Sequence, residues 1–232
     1  MKIHRFIGNF NIKENLITTS EKELVHQMFR VLKLEEGEKV TLSDGLGLEN
    51  LYTIKSISKN EVVFETNEKP QISKEAPVEV TLFMAILKKE NFETVVEKAT
   101  EVGVAKIVPI LTDRTIKQNI NMERLQKIAR EASEQCGRAK LPIIEPVASL
   151  DEILKLGASF DEAWILEIGK KESKENKEIK TRAIIVGPEG GFTKEEIEKA
   201  VNNGWKLVGL SNLTFRGETA GIIGSYLATR TT

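Results

Sequence analysis

Apolar and polar positions in this chain follow one period near its start and another further on. In "KVTLSDGLGLENLYTIKSISKNEVVFETNE" (39–68) they alternate, the period of half-buried strands. The alternation is punctuated by Asp44-Gly45 and Lys59-Asn60, which are turn-forming pairs. The stretch before it, "EKELVHQMFRVLKLEEGE" (21–38), instead spaces Leu24, Met28, Val31 and Leu32 by three and four and predicts a helix. His26 on that helix reads as a core or edge histidine rather than a catalyst. The two patterns together predict a small, mostly β barrel with one helix. "NEKPQISKEAP" (67–77) has polar residues, two prolines and no period, and is the expected linker. The predicted domains are therefore 1–72 and 73–232.

Beyond Val78 the pattern becomes one of strands alternating with helices. "VEVTLFMAIL", "AKIVPILT", "DEAWILEI", "TRAIIVG" and "WKLVGL" read as strands. "KENFETVVEKATEVG", "NMERLQKIAREASEQCGR", "SLDEILKLG", the segment after Thr193, and "GETAGIIGSYLATR" read as helices. Gly103 and Gly137 are candidate helix ends, and Ser149 is a candidate cap. "KKESKENKEIK" (170–180) reads as a solvated loop. Such alternation predicts an α/β domain with a parallel sheet, whose ligands lie in the turns beyond the carboxyl ends of strands.

Composition narrows the function classes. The 34 basic and 35 acidic side chains nearly cancel, with 10 and 11 of them in residues 1–72, so a nucleic-acid partner would have to meet a local patch. Cys136 is the single cysteine and His4 and His26 the only histidines, too few ligands for a structural zinc site. Cys136 is read as structural. The start "MKIHRFIGNFNIKEN" carries no apolar core with a cleavage site, and no run of about 18 apolar residues could span a bilayer. A soluble cytoplasmic protein without metal is expected.

Two glycine-bearing turns carry the candidate chemistry. In "IIVGPEGGFTKEEIEKA" (184–200) a strand meets Gly187, Pro188, Glu189, Gly190 and Gly191, and Thr193 with Glu196 forms a capping-box pattern. A glycine turn before a helix can receive an anion, but no Gly-Lys-Ser/Thr follows, Pro188 lacks an N–H and Glu189 repels phosphate. An uncharged or cationic nucleoside suits it better; a tight connection that binds nothing is the alternative. The second turn, "GLSNLTFRGETAGIIG" (209–224), sets Arg216 and Glu218 at the mouth of an apolar helix. They read as functional groups, or as a surface ion pair and a residue complementing the helix dipole.

These runs, "IIVGPEGGFTKEEIE" and "LSNLTFRGETA", closely resemble the signature of the SPOUT methyltransferases. The chain is most similar to the family that methylates N3 of a uridine in small-subunit (16S) ribosomal RNA. "FRVLKLEEGEKVTLSDG", "KKENFETVVEKATEVGV" and "REASEQCGRAKLP" match the same family in order, so the resemblance covers essentially the full length. It implies a PUA-like RNA-binding barrel followed by an α/β domain whose end is tucked into a trefoil knot, a rare exception to ordinary connection rules. It further implies S-adenosylmethionine as cofactor, a homodimer, and the assembled 30S subunit as substrate. The alternatives are a SPOUT enzyme with another RNA target and a non-catalytic RNA-binding module.

Carried over residue by residue, the cofactor pocket falls on Gly187, Pro188, Glu189, Gly190, Gly191, Leu210, Asn212, Leu213, Arg216, Glu218, Thr219 and Ala220. Arg216 and Glu218 are the catalytic candidates: Arg216 to offset negative charge on the uracil, Glu218 as general base or as cap and orienter of Arg216. The family usually shows leucine-arginine-threonine-glutamate-threonine-alanine where this chain has Phe215-Arg216-Gly217-Glu218-Thr219-Ala220. A hydroxyl is therefore missing at Gly217. On the long helix, Arg130, Glu134, Gln135 and Arg138 are spaced so that several share a face that is either solvated or functional, and the resemblance draws Gln135 and Arg138 toward the active site or dimer interface. Arg114 is a further RNA or substrate candidate. His4, Arg5, Arg30 and Lys33 are candidate phosphate contacts of the barrel, unless the barrel serves only to orient the dimer, and with few aromatics among them base stacking on the barrel is not expected.

Overall fold

The computed structural model describes residues 3–116, 119–168 and 179–231, so most of the expected loop 170–180 lies outside the described residues. The chain divides into two compact units: residues 1–75 with 133–141, and residues 76–132 with 142–232.

The first unit is built on β1 (His4–Ile7), β2 (Leu16–Thr19), α1 (Lys22–His26), β3 (Lys39–Ser43), β4 (Leu48–Ile57), β5 (Val62–Glu65) and β6 (Gln71–Ile72). Its sheet runs β1-β3-β4-β5-β2, with β6 on β4; β1 and β3 are parallel and the other pairs antiparallel. Both expected turns form. Asp44 Oδ1 accepts from the N–H groups of Leu46 and Leu48, and Ser58 Oγ accepts from those of Asn60 and Glu61. The alternating strand residues Val40, Leu42, Tyr52, Ile54 and Phe64 pack with Phe6, Leu24 and Met28 into one core.

Two expectations here are corrected. The helix over 21–38 ends early: α1 passes into a π-helical turn over Gln27–Val31, with the Leu32 N–H bonded to the Gln27 carbonyl at 2.9 Å. Val31 in that widened turn is 63% exposed, and His26, expected in the core or at its edge, is exposed. Part of the expected linker also forms a strand, because Gln71 and Ile72 pair with Glu49 and Leu48.

In the second unit, β7 (Glu79–Ala85), β8 (Lys106–Leu111), β9 (Ile143–Ile144), β10 (Ala148–Ser149), β11 (Glu162–Leu166), β12 (Thr181–Val186) and β13 (Lys206–Val208) form one parallel sheet. Its order is β10-β8-β7-β12-β11-β13, with β9 also on β8. Successive strand residues feed opposite faces. Val80, Leu82, Met84, Ile184 and Val186 enter one core; Phe83, Ala85, Ala183 and Ile185 enter the other. The first core takes in residues of α2 (Lys89–Glu101) and α3 (Met122–Cys136); the second takes in residues of α4 (Leu150–Leu154) and α5 (Lys194–Asn202). Ser149 with Glu152 and Thr193 with Glu196 form complete capping boxes, as the spacing predicts. Gly103 and Gly137 sit at positive φ (+98° and +90°) just past α2 and α3, the conformation that stops a helix.

The last helix, α6 (Gly217–Ala228), returns across the sheet and packs on β12 and β7. Twelve residues of helix span about 18 Å, and six of β12 about 20 Å, so the helix can follow that strand along its length. Gly217, Gly221 and Gly224 allow this closeness: a β-carbon at 224 would lie 2.6 Å from Leu166 Cδ1, and one at 221 would lie 3.1 Å from Met84 Sδ. The end of α6 is held by Arg182, 2% exposed, which donates to the carbonyls of Ala228 (2.6 Å) and Arg230 (3.2 Å). The same guanidinium pairs with Glu162 at 2.8 Å and lies 4.2 Å over the Trp164 ring.

Candidate functional site

Because β12, β11 and β13 are adjacent and parallel, their carboxyl ends emerge side by side. The segments that follow enclose a cleft of about 500 Å³. One wall is the turn Gly187–Gly191 after β12, a second is Glu167 and Ile168 after β11, and a third is contributed by residues between Leu210 and Gly217 after β13. A cleft beyond the strand ends of an open parallel sheet is where this class of fold takes its ligands.

The first turn has its own bracing. The Gly191 N–H reaches the Pro188 carbonyl at 2.9 Å, and φ at Gly191 is +65°, which a side chain would oppose. At Gly187 the constraint is space: a β-carbon there would come 3.0 Å from the Phe192 ring. Glu196, 5% exposed, closes the capping box with Thr193 and also accepts from the Asp113 N–H at 2.9 Å. The neighbouring Arg114 donates to the Gly190 carbonyl at 2.7 Å. The loop after β8 is thus fastened to the glycine turn and its helix at two points.

The charges around the cleft are mixed. Glu167 and Glu189 line it, and among the described residues its basic side chains are Arg114 and Arg216. With Arg114 bonded to a carbonyl and two carboxylates nearby, the cleft suits an uncharged or cationic nucleoside better than a polyphosphate.

Of the residues expected in a cofactor pocket, Gly187, Pro188, Glu189, Gly190, Gly191, Leu210, Leu213, Arg216 and Ala220 line the cleft, whereas Asn212, Glu218 and Thr219 do not. Arg216 is 85% exposed, with its Nη1 4.0 Å from Glu218 Oε1. Glu218 is largely covered, and its Oε2 is buried without a hydrogen-bond partner among the described residues. At Gly217 a β-carbon would lie 2.9 Å from Leu87 Cδ2, so Leu87 occupies the space a larger residue would need. Arg114, expected to touch RNA or substrate, lies on the cleft wall. Sequence reasoning missed Leu166, Glu167 and Ile168 of "WILEI". The strand-end rule applies to β11 as well, but only the strand order sets β11 between β12 and β13.

The candidates expected in the first unit are dispersed. Arg5 is ion-paired with Glu49, and Arg30 is exposed with its guanidinium 5.3 Å over the Phe29 ring. His4 is half-buried and Lys33 exposed, the latter with φ +53°. Arg138 is buried against Glu75 at 2.7 Å, while Gln135 and Cys136 are exposed. No helix among the described residues is long and apolar enough to cross a membrane.

Residues 74–227 match the family model described as RNA methyltransferase domain, and residues 21–66 that described as RNA methyltransferase PUA domain. A Rickettsia conorii protein named ribosomal RNA small subunit methyltransferase E is 32% identical, over 96% of this chain and 93% of its own. A crystal structure of a ribosomal RNA small subunit methyltransferase E from Neisseria gonorrhoeae bound to S-adenosylmethionine superposes with a TM-score of 0.90 at 26% identity, covering 97% and 96% of the two chains. A Legionella pneumophila methyltransferase in complex with the same cofactor superposes at 0.86, with 28% identity over 98% and 97%.

Proposed function

The chain belongs to the RNA methyltransferase family represented by ribosomal RNA small subunit methyltransferase E, and from that premise we propose that it methylates N3 of a uridine in 16S ribosomal RNA, using S-adenosylmethionine. The observation that carries the cofactor reading is the cleft itself, a nucleoside-sized space walled by glycine backbone where a β-carbon at Gly187 would strike Phe192. Gly187–Gly191, Glu167, Leu210 and Leu213 would hold the cofactor, which supplies an electrophilic methyl group on a sulfonium.

The chain's own groups have two tasks. Uridine N3–H is mostly protonated at neutral pH, so the proton must leave and the resulting charge must be offset. Arg216, the exposed cation at the cleft mouth, is assigned to that charge, the larger lever on the barrier. Glu218 stands outside the cleft lining with one oxygen 4.0 Å from Arg216, and is assigned to orienting it. Residues 1–72 are read as a PUA-like barrel that binds RNA, and 73–232 as the catalytic domain. A knotted chain end is assigned on the family resemblance. We further assign a homodimer and the assembled 30S subunit as substrate, as in the family resemblance.

The test is single-turnover methylation of undermethylated 30S particles, followed by mapping of the modified base. Arg216→Ala should slow transfer by roughly 100-fold while still binding S-adenosylmethionine in calorimetry. Wild-type rates for that variant would sink the assignment of Arg216. Modification of free uridine or of tRNA in place of the 30S particle would overturn the substrate.

A further inference from the structure

The first unit carries a concavity of about 480 Å³ whose lining is cationic. Lys22, His26 and Arg30 approach it from α1 and the π-helical turn, and Lys59 with Asn60 from the turn between β4 and β5. No carboxylate lines it among the described residues, although Glu21, Glu23 and Glu61 are neighbours in sequence. Phe29, half-buried, supplies an aromatic wall, with the Arg30 guanidinium 5.3 Å from its centroid.

Two features mark this patch: its cations are unpaired among the described residues, unlike several others in the unit, and they converge. Arg5, Lys55 and Arg138 are each ion-paired, to Glu49, Glu65 and Glu75. Lys22, Arg30 and Lys59 have no ion-pair partner among the described residues. The backbone also favours their convergence. Lys22, His26 and Arg30 are four apart, and an α-helix rotates such a series by about 40° per step. The wider π turn, a form frequent at functional sites, reduces that drift and keeps them on one side.

We propose that this concavity is a single-stranded RNA subsite, with Lys22, Arg30 and Lys59 on phosphates and a base against Phe29. This rests on the reading of the chain as an RNA methyltransferase. Cations tracking a backbone beside an aromatic ring are the chemistry of single-strand binding. His26 and Asn60 add hydrogen-bonding groups at the same rim.

The probe is a fluorescein-labelled oligouridylate of about 12 nucleotides, titrated against the full chain by anisotropy at several salt concentrations. The triple variant K22A/R30A/K59A should lose about 2 from the slope of log affinity against log salt, at about 0.7 per phosphate released. Phe29→Leu should weaken binding roughly tenfold with the slope unchanged. A control triple, K13A/K69A/K74A, removes equal charge elsewhere and should keep the wild-type slope. Calorimetry with S-adenosylmethionine should give wild-type affinity for every variant, which separates loss of this subsite from failure of the enzyme reading. An unchanged slope in the first triple, or an equal loss in the control, overturns the subsite. So does a first triple that binds oligouridylate normally yet loses intact 30S particles, which would assign the patch to a ribosomal protein.

Discussion

Replacing Arg182 by methionine should destabilise the second unit severely and loosen the cleft from its far end. The guanidinium is 2% exposed and holds Glu162 at 2.8 Å, the Ala228 carbonyl at 2.6 Å and the Arg230 carbonyl at 3.2 Å. Methionine keeps most of the length but none of the donors. Breaking a buried ion pair on one side costs about 3–5 kcal/mol, and the stacked contact with Trp164 contributes about 1–2 kcal/mol more. Lys206, 3.9 Å from Glu162, offsets part of this, so the expected loss is about 4 kcal/mol. With a urea dependence of about 2 kcal/mol per molar, the midpoint falls by about 2 M. Tryptophan fluorescence reads this unit alone, since the two tryptophans, Trp164 and Trp205, both belong to it. In a double-mutant cycle with Glu162→Gln, the pair should couple by about 2 kcal/mol. A midpoint shift under about 0.5 M, or strict additivity, would refute the reasoning. At a temperature where Arg182→Met is folded, weaker S-adenosylmethionine binding is expected too, because α6 begins at the cleft.

Two further outcomes follow from local geometry. Gly187→Ala drives a β-carbon to 3.0 Å from the Phe192 ring and should raise the Kd for S-adenosylmethionine about tenfold, with a stability loss of about 1 kcal/mol. Adding Phe192→Leu should recover part of the affinity, and an unchanged Kd in the single variant would contradict a tight wall. Burial raises the Tyr52 phenol's pKa, the Asn50 hydrogen bond lowers it and nearby Glu14 raises it, for a net upward shift. A raised folded-state pKa gives stability that is present below the usual phenol pKa of about 10 and lost as pH rises through the raised value. Wild-type protein should therefore lose stability above about pH 10 by urea titration, and Tyr52→Phe should flatten that limb.

Local signals in the sequence determined the local structure. Alternation foretold β3, β4 and β5, and the Asp44 and Ser58 turns formed where turn residues stood. The pairs Ser149/Glu152 and Thr193/Glu196 became capping boxes, and Gly103 and Gly137 stopped their helices. Each depends on hydrogen bonds or dihedral angles within a few residues, so the order of residue types suffices. The glycine turns were legible as a candidate ligand wall for the same reason.

What the tertiary structure decided involves partners far apart in the chain. Only the strand order β7-β12-β11-β13 brought Glu167 and Ile168 beside Gly187 and Leu210. Arg182, one charged residue in the apolar run "TRAIIV", became the anchor of a helix end 46 positions later because Glu162, Trp164 and the end of α6 converge on it. Arg114, a substrate candidate by sequence, braces Gly190 from 76 positions away. The π turn that ends the first helix early is equally a packing outcome, since Met28 reaches the core while Val31 does not. Strand order and buried charge are settled by which faces can be covered together, and that depends on the whole chain rather than on any one stretch of it.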